Sequence, residues 1–290
     1  MPAALPPDPP ADVAPMRLPV PEAQRPLTLP RLVLAPEAGF QVDHRPDEVL
    51  LGQNQTLFGE LDLSVGFGIT DDLAVHALVV PLQLWAPGGQ GLQYGESNRN
   101  LGPGAGVTYR FAHPGPVELG VDLSGQVFTL PGISGGLVTF SFLFHWHATD
   151  MVRLDVEPAV STVFETVTTE VAATGLTGVP GAPPELPSKV STTTGRIQVP
   201  VRLIGNVTRS FDLGLTSGLT IYDTSNTRSS TGIPLGFQLG YAVPGRQGPV
   251  LDVDPFFSFP YLVMPGRAGA QETNTQQYQV GVNLRGYLYL

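Results

Sequence analysis

The sequence QYQVGVNLRGYLYL, residues 277–290, alternates apolar and polar residues up to the final leucine. Counting back by twos from the end gives one face made of Leu290, Leu288, Gly286, Leu284, Val282, Val280 and Tyr278. The positions between them hold Tyr289, Tyr287, Arg285, Asn283, Gly281 and Gln279. A period of two predicts a β-strand with one apolar and one polar face. Chain ends usually fray, so a strand this regular at the very end needs a structural reason.

The same alternation recurs along most of the chain, as in LFGELDLSVGF at residues 57–67. About twelve strands are predicted, over residues 32–44, 55–68, 73–85, 101–112, 117–129, 136–148, 151–166, 196–206, 211–222, 232–243, 249–262 and 275–290. Short connections, with the Gly, Pro, Asp and Asn residues of tight turns, alternate with long ones. This order predicts an up-and-down arrangement with all short turns at one end.

Composition excludes several classes of protein. The 290 residues include no cysteine, which excludes a disulfide framework and thiolate metal sites. No apolar run reaches the roughly 20 residues that a membrane-spanning helix needs. The net charge is −10 and the arginines are scattered, so we expect no nucleic-acid partner.

Alternating strands suit either a soluble β-sandwich or a membrane β-barrel, and three features favour the barrel. The predicted strands exceed the roughly 5–6 residues of typical globular strands. The polar faces lack lysine, because Lys189, in the longest predicted loop, is the only one in the chain. Aromatic residues lie near strand ends on the apolar face, where barrels carry interfacial girdles; examples are Phe67, Trp146, Phe211 and Tyr241. We therefore predict an all-β fold, a transmembrane antiparallel up-and-down β-barrel of about twelve strands.

In lipid an unpaired strand edge leaves backbone groups without hydrogen bonds, so the first strand is expected to pair with the last. This requirement explains the regular final strand. An even number of strands also places both chain ends at the short-turn end of the barrel.

Residues 32–290 resemble the bacterial outer-membrane β-barrel proteins, with a porin-like barrel of about twelve strands. The resemblance implies a location in the outer membrane of a Gram-negative bacterium, surrounded by its lipid, with periplasmic termini, extracellular long loops and a signal peptide that has been removed. It also implies that the last strand is the signal read by the barrel-assembly machinery. The matching positions are Tyr278, Val280, Val282, Leu284, Leu288 and Leu290, although the family usually ends in phenylalanine rather than leucine.

Residues 1–31 form a separate, Pro-rich N-terminal arm without strand or helix periodicity. Proline lacks a backbone donor and disfavours both structures. The arm is either a periplasmic tether, which could bind a periplasmic or envelope protein, or a segment that folds into the barrel as a plug.

If the apolar face meets lipid, the other face lines the lumen. The predicted lumen-lining residues are eleven carboxylates (Glu37, Asp43, Glu60, Asp62, Glu118, Asp122, Asp155, Glu157, Asp212, Asp252 and Asp254) and five guanidiniums (Arg110, Arg153, Arg196, Arg202 and Arg285). An acidic channel favours cations. Alternatively, these charges pair with one another and fill a closed lumen.

Candidate catalytic and metal-binding patterns are weak. His145 and His147 share the inner face but have no obvious third ligand. Ser217 faces outward, where a lipolytic barrel would need its nucleophile, but the flanking strands carry no histidine. We therefore expect no enzyme activity, no cofactor and no metal.

The sequence thus predicts a passive channel for small solutes with a cation bias. The alternative is a non-conducting structural subunit of a multiprotein outer-membrane machine for secretion, motility or surface attachment.

Overall fold

A computed structural model describes residues 18–44, 49–50, 53–54, 57–85, 93–94, 102–130, 133–169, 188–221, 224, 231–265, 271–273 and 275–290. Within these residues the main elements are long strands: β1 (Val33–His44), β2 (Leu57–Gly68), β3 (Leu73–Trp85), β4 (Gly104–Ala112), β5 (Val117–Leu130), β6 (Ile133–Thr149), β7 (Val152–Val156 and Ala159–Thr169), β8 (Ser188–Asn206), β9 (Phe211–Ile221), β10 (Thr231–Pro244), β11 (Pro249–Pro265) and β12 (Tyr278–Gly286, continued by Leu288–Tyr289). Short strands add a hairpin (Val49–Leu50 with Gln53–Asn54) and extensions beside β3 (Gln93–Tyr94) and β11 (Gln271–Thr273).

These twelve strands form a closed antiparallel barrel, as the alternation predicts. Each pairs with its neighbours in the sequence, and β1 pairs with β12 through a register that sets Glu37 opposite Arg285 and Val42 opposite Val280. The amide of Leu290 donates to the carbonyl of Leu32 at 3.0 Å, so hydrogen bonding between the first and last strands continues to the C-terminal residue. Closure leaves no edge strand in the ring, which removes the cost of unpaired backbone groups in lipid.

The predicted strand bounds agree with the structure to within three residues except at β8, which begins at Ser188 rather than at residue 196. The alternation predicts a loop at STTT, residues 191–194, but these residues pair with β7. The hydroxyls of Thr166 and Ser191, for example, lie 3.1 Å apart across the two strands. Threonine favours strands because its β-branched side chain packs well on a pleated surface. Lys189 therefore lies in β8 and not in a loop.

The two faces of the wall differ in exposure. On β6, Phe140 and Trp146 are 51% and 43% exposed, whereas Leu143 and His145 are 8% and 7% exposed. The same contrast holds on β9 and β10, where Leu213, Leu215, Phe237 and Leu239 are exposed and Asp212 is buried. An apolar outer face around a whole barrel is typical of contact with lipid.

All the short turns lie at one end of the barrel. They fall at residues 69–72, 113–116, 150–151, 207–210 and 245–248, and Leu290 ends beside Leu32 at this same end. The connections at the other end lie largely outside the described residues. In the part of the chain that the structure describes, no helix is long and apolar enough to cross a membrane.

Candidate functional site

Residues 18–31, which we call the inner segment, lie inside the short-turn end of the barrel. Leu18, Ala23 and Thr28 are buried, and the chain forms one turn of 3-10 helix at Glu22–Gln24. The segment leaves the interior through a sharp reversal at Leu32, whose φ of 62° is in the left-handed region. This reversal costs about 1–2 kcal/mol for a non-glycine residue, so the contacts of the inner segment must offset it.

Glycines in the wall allow the inner segment to approach the barrel backbone. A Cβ atom on Gly68 would lie 2.0 Å from the carbonyl oxygen of Pro30, and one on Gly120 would lie 3.0 Å from the Leu27 side chain. Side chains at these wall positions would displace the segment. The glycines on β2 and β5 therefore fit a barrel whose interior holds residues 27–30.

Arg25 is the most extensively bonded residue of the inner segment. It is 5% exposed, and its guanidinium binds both carboxylate oxygens of Asp252, the nearer of them at very short range and the other at 2.9 Å. It also donates to the Tyr287 hydroxyl at 2.9 Å, and that hydroxyl donates to Asp252 at 2.6 Å. Within the segment it pairs with Glu22 and donates to the carbonyls of Pro19 and Val20. One side chain thus joins the inner segment to β11 and to the end of β12.

The electrostatics of this cluster favour its charged form. Burial alone raises the pKa of Glu22, but the guanidiniums of Arg25 and Arg153 outweigh it and lower the pKa to about 2. Burial acts against the charge of Arg25, and Glu22 and Asp252 reverse that effect and raise the pKa of the guanidinium. Both groups are therefore ionised near neutral pH.

Arg153 supplies a second attachment, on β7. Two of its guanidinium nitrogens bind the carboxylate of Asp155 at 2.8 and 3.0 Å, which fixes the side chain against the wall. Its remaining nitrogen donates to the carbonyls of Glu22 and Arg25 at 2.7 and 3.0 Å. Arg153 therefore holds the backbone of the inner segment on both sides of Ala23.

A third set of contacts holds residues 27–31 of the inner segment. The Leu27 amide donates to Glu118 at 2.6 Å, and Glu118 is itself bound by Arg110 at 3.0 Å. The Thr28 hydroxyl donates to the carbonyl of Asp71 at 2.6 Å, and the Arg31 amide donates to the Asp71 carboxylate at 3.0 Å. These bonds attach the C-terminal half of the segment to β5 and to the turn between β2 and β3.

Further hydrogen bonds join Ala23 and Gln24 to β6, to β8 and to the turn between β6 and β7. Nδ1 of His147 on β6 donates to the carbonyl of Ala23 at 2.7 Å, and the Ala23 amide donates to Asn206 on β8 at 3.3 Å. Gln24 donates to the carbonyl of Asp150 in the turn between β6 and β7. Because the partners come from strands all round the barrel, the inner segment lies across its short-turn opening.

A cavity of about 400 Å³ lies beside the inner segment inside the barrel. Its walls carry charged and ionisable groups that partly pair with one another. Arg285 binds Glu37 at 2.8 Å, and His145 lies 3.3 Å from Glu157. Arg202, also in the lining, donates to the amide oxygen of Gln238 at 2.9 Å.

The sixteen predicted lumen-lining residues fall into three groups. Those joined by ion pairs or charge-assisted hydrogen bonds are Glu37 with Arg285, Glu118 with Arg110, Asp155 with Arg153, Asp252 with Arg25, Glu157 with His145, Asp122 with Thr108, and Arg202 with Gln238. Asp212 on β9 and Asp254 on β11 lie on either side of β10 and bind no guanidinium among the described residues. For the others, Asp43 is buried, Arg196 is half-buried and Asp62 is exposed, and the side chain of Glu60 lies outside the described part of the chain.

The predicted assembly-signal residues lie along β12 and the chain end. Val280, Leu284, Leu288 and Leu290 are exposed on the outer face, and Tyr278 and Val282 are half-buried. Their recognition by assembly machinery stays a prediction. On the inner face of the same strand, Gln279 accepts a hydrogen bond from Ser258 at 3.2 Å.

The candidate metal ligands and the candidate nucleophile form structural hydrogen bonds. His145 and His147 bind Glu157 and the Ala23 carbonyl respectively, and no group of three or more possible metal ligands occurs among the described residues. The Ser217 hydroxyl donates to the carbonyl of Pro234 at 3.0 Å.

The residues that the sequence did not reveal are Glu22, Arg25 and Tyr287. A clue was present, since EAQR at residues 22–25 is the most polar stretch of an arm otherwise rich in proline. Nothing in the local pattern identifies Asp252, 227 residues away, as the partner of Arg25.

The fold and its interior define the class: a closed twelve-stranded β-barrel with an apolar outer face and a charged interior. Among solved structures, an outer-membrane channel from Pseudomonas putida F1 has this fold, with a TM-score of 0.53 and 9% identity over 90% of this chain and 97% of that one. The NanC porin gives a TM-score of 0.49 with 9% identity over 88% of this chain and 100% of that one. The CymD monoaromatic hydrocarbon channel gives 0.47 with 9% identity over 90% of each chain. No protein-family model and no curated relative matches the sequence. At 9% identity, the likeness to the Pseudomonas putida F1 channel shows a shared fold.

Proposed function

We propose that the chain is a channel of the bacterial outer membrane that passes small solutes passively, and that its inner segment closes the periplasmic end. The observation that carries this proposal is a lipid-compatible closed barrel whose short-turn opening is crossed by a segment held largely through polar contacts. The likeness of its fold to an outer-membrane channel supports the proposal.

The width of the barrel is compatible with both an open and a closed state. Eight strands leave an interior that side chains fill, and sixteen to eighteen leave an aqueous pore. Twelve strands lie between these cases, so a segment such as residues 18–31 can be accommodated and, when it leaves, the space that it occupied is available to solutes. We infer that undocking of the inner segment is the opening step.

We further propose a cation preference in the open state, carried chiefly by Asp212 and Asp254. Most of the other carboxylates of the interior bind an arginine, a histidine or a hydroxyl, so their charge is partly neutralised locally. In a narrow channel of low dielectric constant, unpaired carboxylates attract cations and repel anions when they are ionised. Burial opposes their ionisation, so the cation preference should be strongest above neutral pH. Asp252 joins them when Arg25 leaves with the inner segment.

Planar-bilayer recording of the full chain and of a variant containing residues 32–290 tests the channel. We expect rare, brief openings of the full chain and long-lived openings of the shortened one. If the shortened barrel folds, as judged by a difference in migration between boiled and unboiled samples in detergent gels, and yet conducts no ions, the channel proposal is wrong. A non-conducting structural subunit then becomes the better hypothesis.

Reversal potentials in a salt gradient test the selectivity. The double substitution Asp212→Asn with Asp254→Asn should shift the reversal potential of the shortened barrel toward zero. Asp150→Asn, which removes an exposed carboxylate from a short turn, is the matched control and should change it little. An unchanged reversal potential in the double variant would disprove the role of these two carboxylates while leaving the channel itself intact.

A further inference from the structure

The register of the strands places two neighbouring rows of residues on the inner face of β9, β10, β11 and β12. In chain order, the first row is Gly214, Gln238, Phe256 and Gly281, and the second is Thr216, Gly236, Ser258 and Gln279. All of them except the end glycines of the first row line a cavity of about 450 Å³, which we call the amide pocket. The amide pocket is therefore built on the inner wall of the barrel.

Glycines determine the shape of the amide pocket. A Cβ atom on Gly281 would lie 2.6 Å from the tip of the Phe256 ring, so this ring lies on the inner surface of β12. In the second row, a Cβ atom on Gly236 would lie 3.3 Å from the Cβ atom of Ser258 and 3.6 Å from that of Thr216. A larger residue at position 236 would fill the space between these two side chains. The result is a recess bordered by one aromatic ring.

Two glutamine side chains at the amide pocket are oriented by their neighbours. Arg202 donates from Nη2 to the amide oxygen of Gln238 at 2.9 Å, and a guanidinium can only donate. The NH2 group of Gln238 must therefore turn away from Arg202. The Ser258 hydroxyl donates to the amide oxygen of Gln279 at 3.2 Å, which leaves the NH2 group of Gln279 for another acceptor. The pocket thus offers amide donors on two strands, β10 and β12.

The lining of the amide pocket limits the chemistry of a ligand. None of the described residues that line it carries a charge. A carboxylate or an ammonium group would lose hydration there without gaining a counter-charge from the lining. The polar side chains that border the pocket include Gln198, Thr216, Gln238, Ser258, Gln279 and Asn283. A hydrocarbon would cover these groups without returning hydrogen bonds, which is also unfavourable. The ligand that fits is uncharged and forms hydrogen bonds on several sides.

We propose that the amide pocket binds small neutral sugars, in which uncharged hydroxyl groups surround a ring. The sugar oxygens accept hydrogen bonds from the amides of Gln238 and Gln279, and the sugar hydroxyls donate to the amide oxygen of Asn283. The C–H face of the sugar packs on the Phe256 ring. The volume lies within the roughly 300–1,000 Å³ of typical small-molecule sites. The inference names a solute class for the proposed channel and rests on that function for passage, whereas binding requires only the folded barrel.

Protection of an introduced thiol measures binding, because the chain has no cysteine. Thr216→Cys places one thiol in the amide pocket, and Ser124→Cys places the matched thiol on β5, outside the pocket. Each variant of the full chain, reconstituted in lipid nanodiscs, is reacted with a water-soluble methanethiosulfonate at increasing concentrations of glucose. At about ten times the fitted Kd, glucose should slow the reaction at position 216 about tenfold. The reaction at position 124 should not change.

Related solutes test the chemistry of recognition. Glucuronate and glucosamine keep the sugar ring and add a negative and a positive charge respectively. Each should need a concentration at least about tenfold higher than that of glucose for the same protection, because its charge is desolvated without a partner. Sorbitol keeps the hydroxyls but has no ring, so it must lose more conformational freedom on binding and should also protect more weakly.

Substitutions in the amide pocket separate binding from general effects on the barrel. Gly236→Val fills the recess and should abolish protection by glucose at position 216. Gly205→Val, which adds a valine where a Cβ atom meets nothing within 4 Å, is the matched control and should preserve it. Phe256→Leu keeps an apolar side chain but removes the aromatic face, so it should raise the Kd for glucose about 2- to 10-fold.

Several results would overturn the proposal. They are equal slowing at both thiols, no slowing at position 216, equal protection by glucose and glucuronate, and a Kd for glucose that neither pocket substitution changes. Ion conductance of the same variants is recorded separately. A barrel that conducts without protection by glucose disproves the sugar site alone, and one that shows protection without conduction disproves the channel alone.

Discussion

Replacing Arg25 with methionine tests whether the inner segment is held by its buried charges. Methionine keeps much of the side-chain volume but removes the bonds to Asp252, Tyr287 and Glu22. Asp252 then remains buried at 3% exposure without its guanidinium. Breaking a buried ion pair by removing one partner costs about 3–5 kcal/mol.

This cost gives the size of the effect. Each increment of about 1.4 kcal/mol changes an equilibrium constant tenfold. If the loss falls on docking of the inner segment, the undocked fraction should rise by about 100-fold to about 4,000-fold. The substitution should leave the barrel itself folded, because the strand pairing does not involve residue 25.

Thiol labelling measures the undocked fraction without assuming that the barrel conducts. Thr28→Cys places a thiol of similar size at a position that is 2% exposed, where a water-soluble maleimide reacts only after undocking. Arg25→Met added to this variant should accelerate labelling by the factor given above. Arg31→Met removes an equal charge from an exposed position of the same segment and is the control.

The labelling rates also define what would refute the reasoning. If Arg25→Met and Arg31→Met accelerate labelling equally, the buried pair with Asp252 does not hold the segment. If neither changes the rate and the parent already labels as fast as denatured protein, the segment is not docked at all.

Two further predictions concern pH and the wall. The pKa of Glu22 is about 2 in the docked state, against 4.5 for the unperturbed group, so its contribution to docking is complete above pH 4.5 and is lost as the pH falls toward 2. Because the reactive thiolate fraction falls with pH, the labelling rate at position 28 is divided by the rate of the denatured variant at the same pH. This ratio should rise below pH 4.5, and less steeply in a Glu22→Gln variant; identical pH profiles of the ratio would contradict this. Gly218→Ala should destabilise the barrel by about 1–3 kcal/mol, because the φ of 142° at this position is unfavourable for a residue with a Cβ atom. Urea unfolding followed by gel mobility measures this, with Gly205→Ala, where an added Cβ meets nothing within 4 Å, as the control; equal stability of the two variants would show that the strand can relax.

The sequence predicted the architecture well because a barrel wall is a locally periodic object. Alternation along each strand depends only on whether a residue faces lipid or the interior. Closure of β1 on β12 follows from the cost of open edges in lipid. The main error, at the start of β8, arose where a Ser/Thr-rich strand carries no apolar face, so that no alternation signals it.

The interior was less predictable. The sequence assigned Asp155 and Asp252 to the inner face, and both side chains are buried among interior contacts. It could not give their partners, because an ion pair depends on the register and on which side chains meet across the barrel. Arg110 therefore binds Glu118 on the next strand, whereas Asp252 binds Arg25 from the far end of the chain.

By itself, then, the sequence determined the strands, their order and the faces that they present, since these follow from short-range periodicity and from the solvation of the backbone. Only the tertiary structure decided that residues 18–31 lie across the short-turn opening and that the backbone at Gly218 takes a φ of 142°. The first depends on closure, which brings the ends of many strands into one ring around the segment. The second depends on the close approach of β8, because a Cβ atom on Gly218 would lie 2.2 Å from the carbonyl oxygen of Val199.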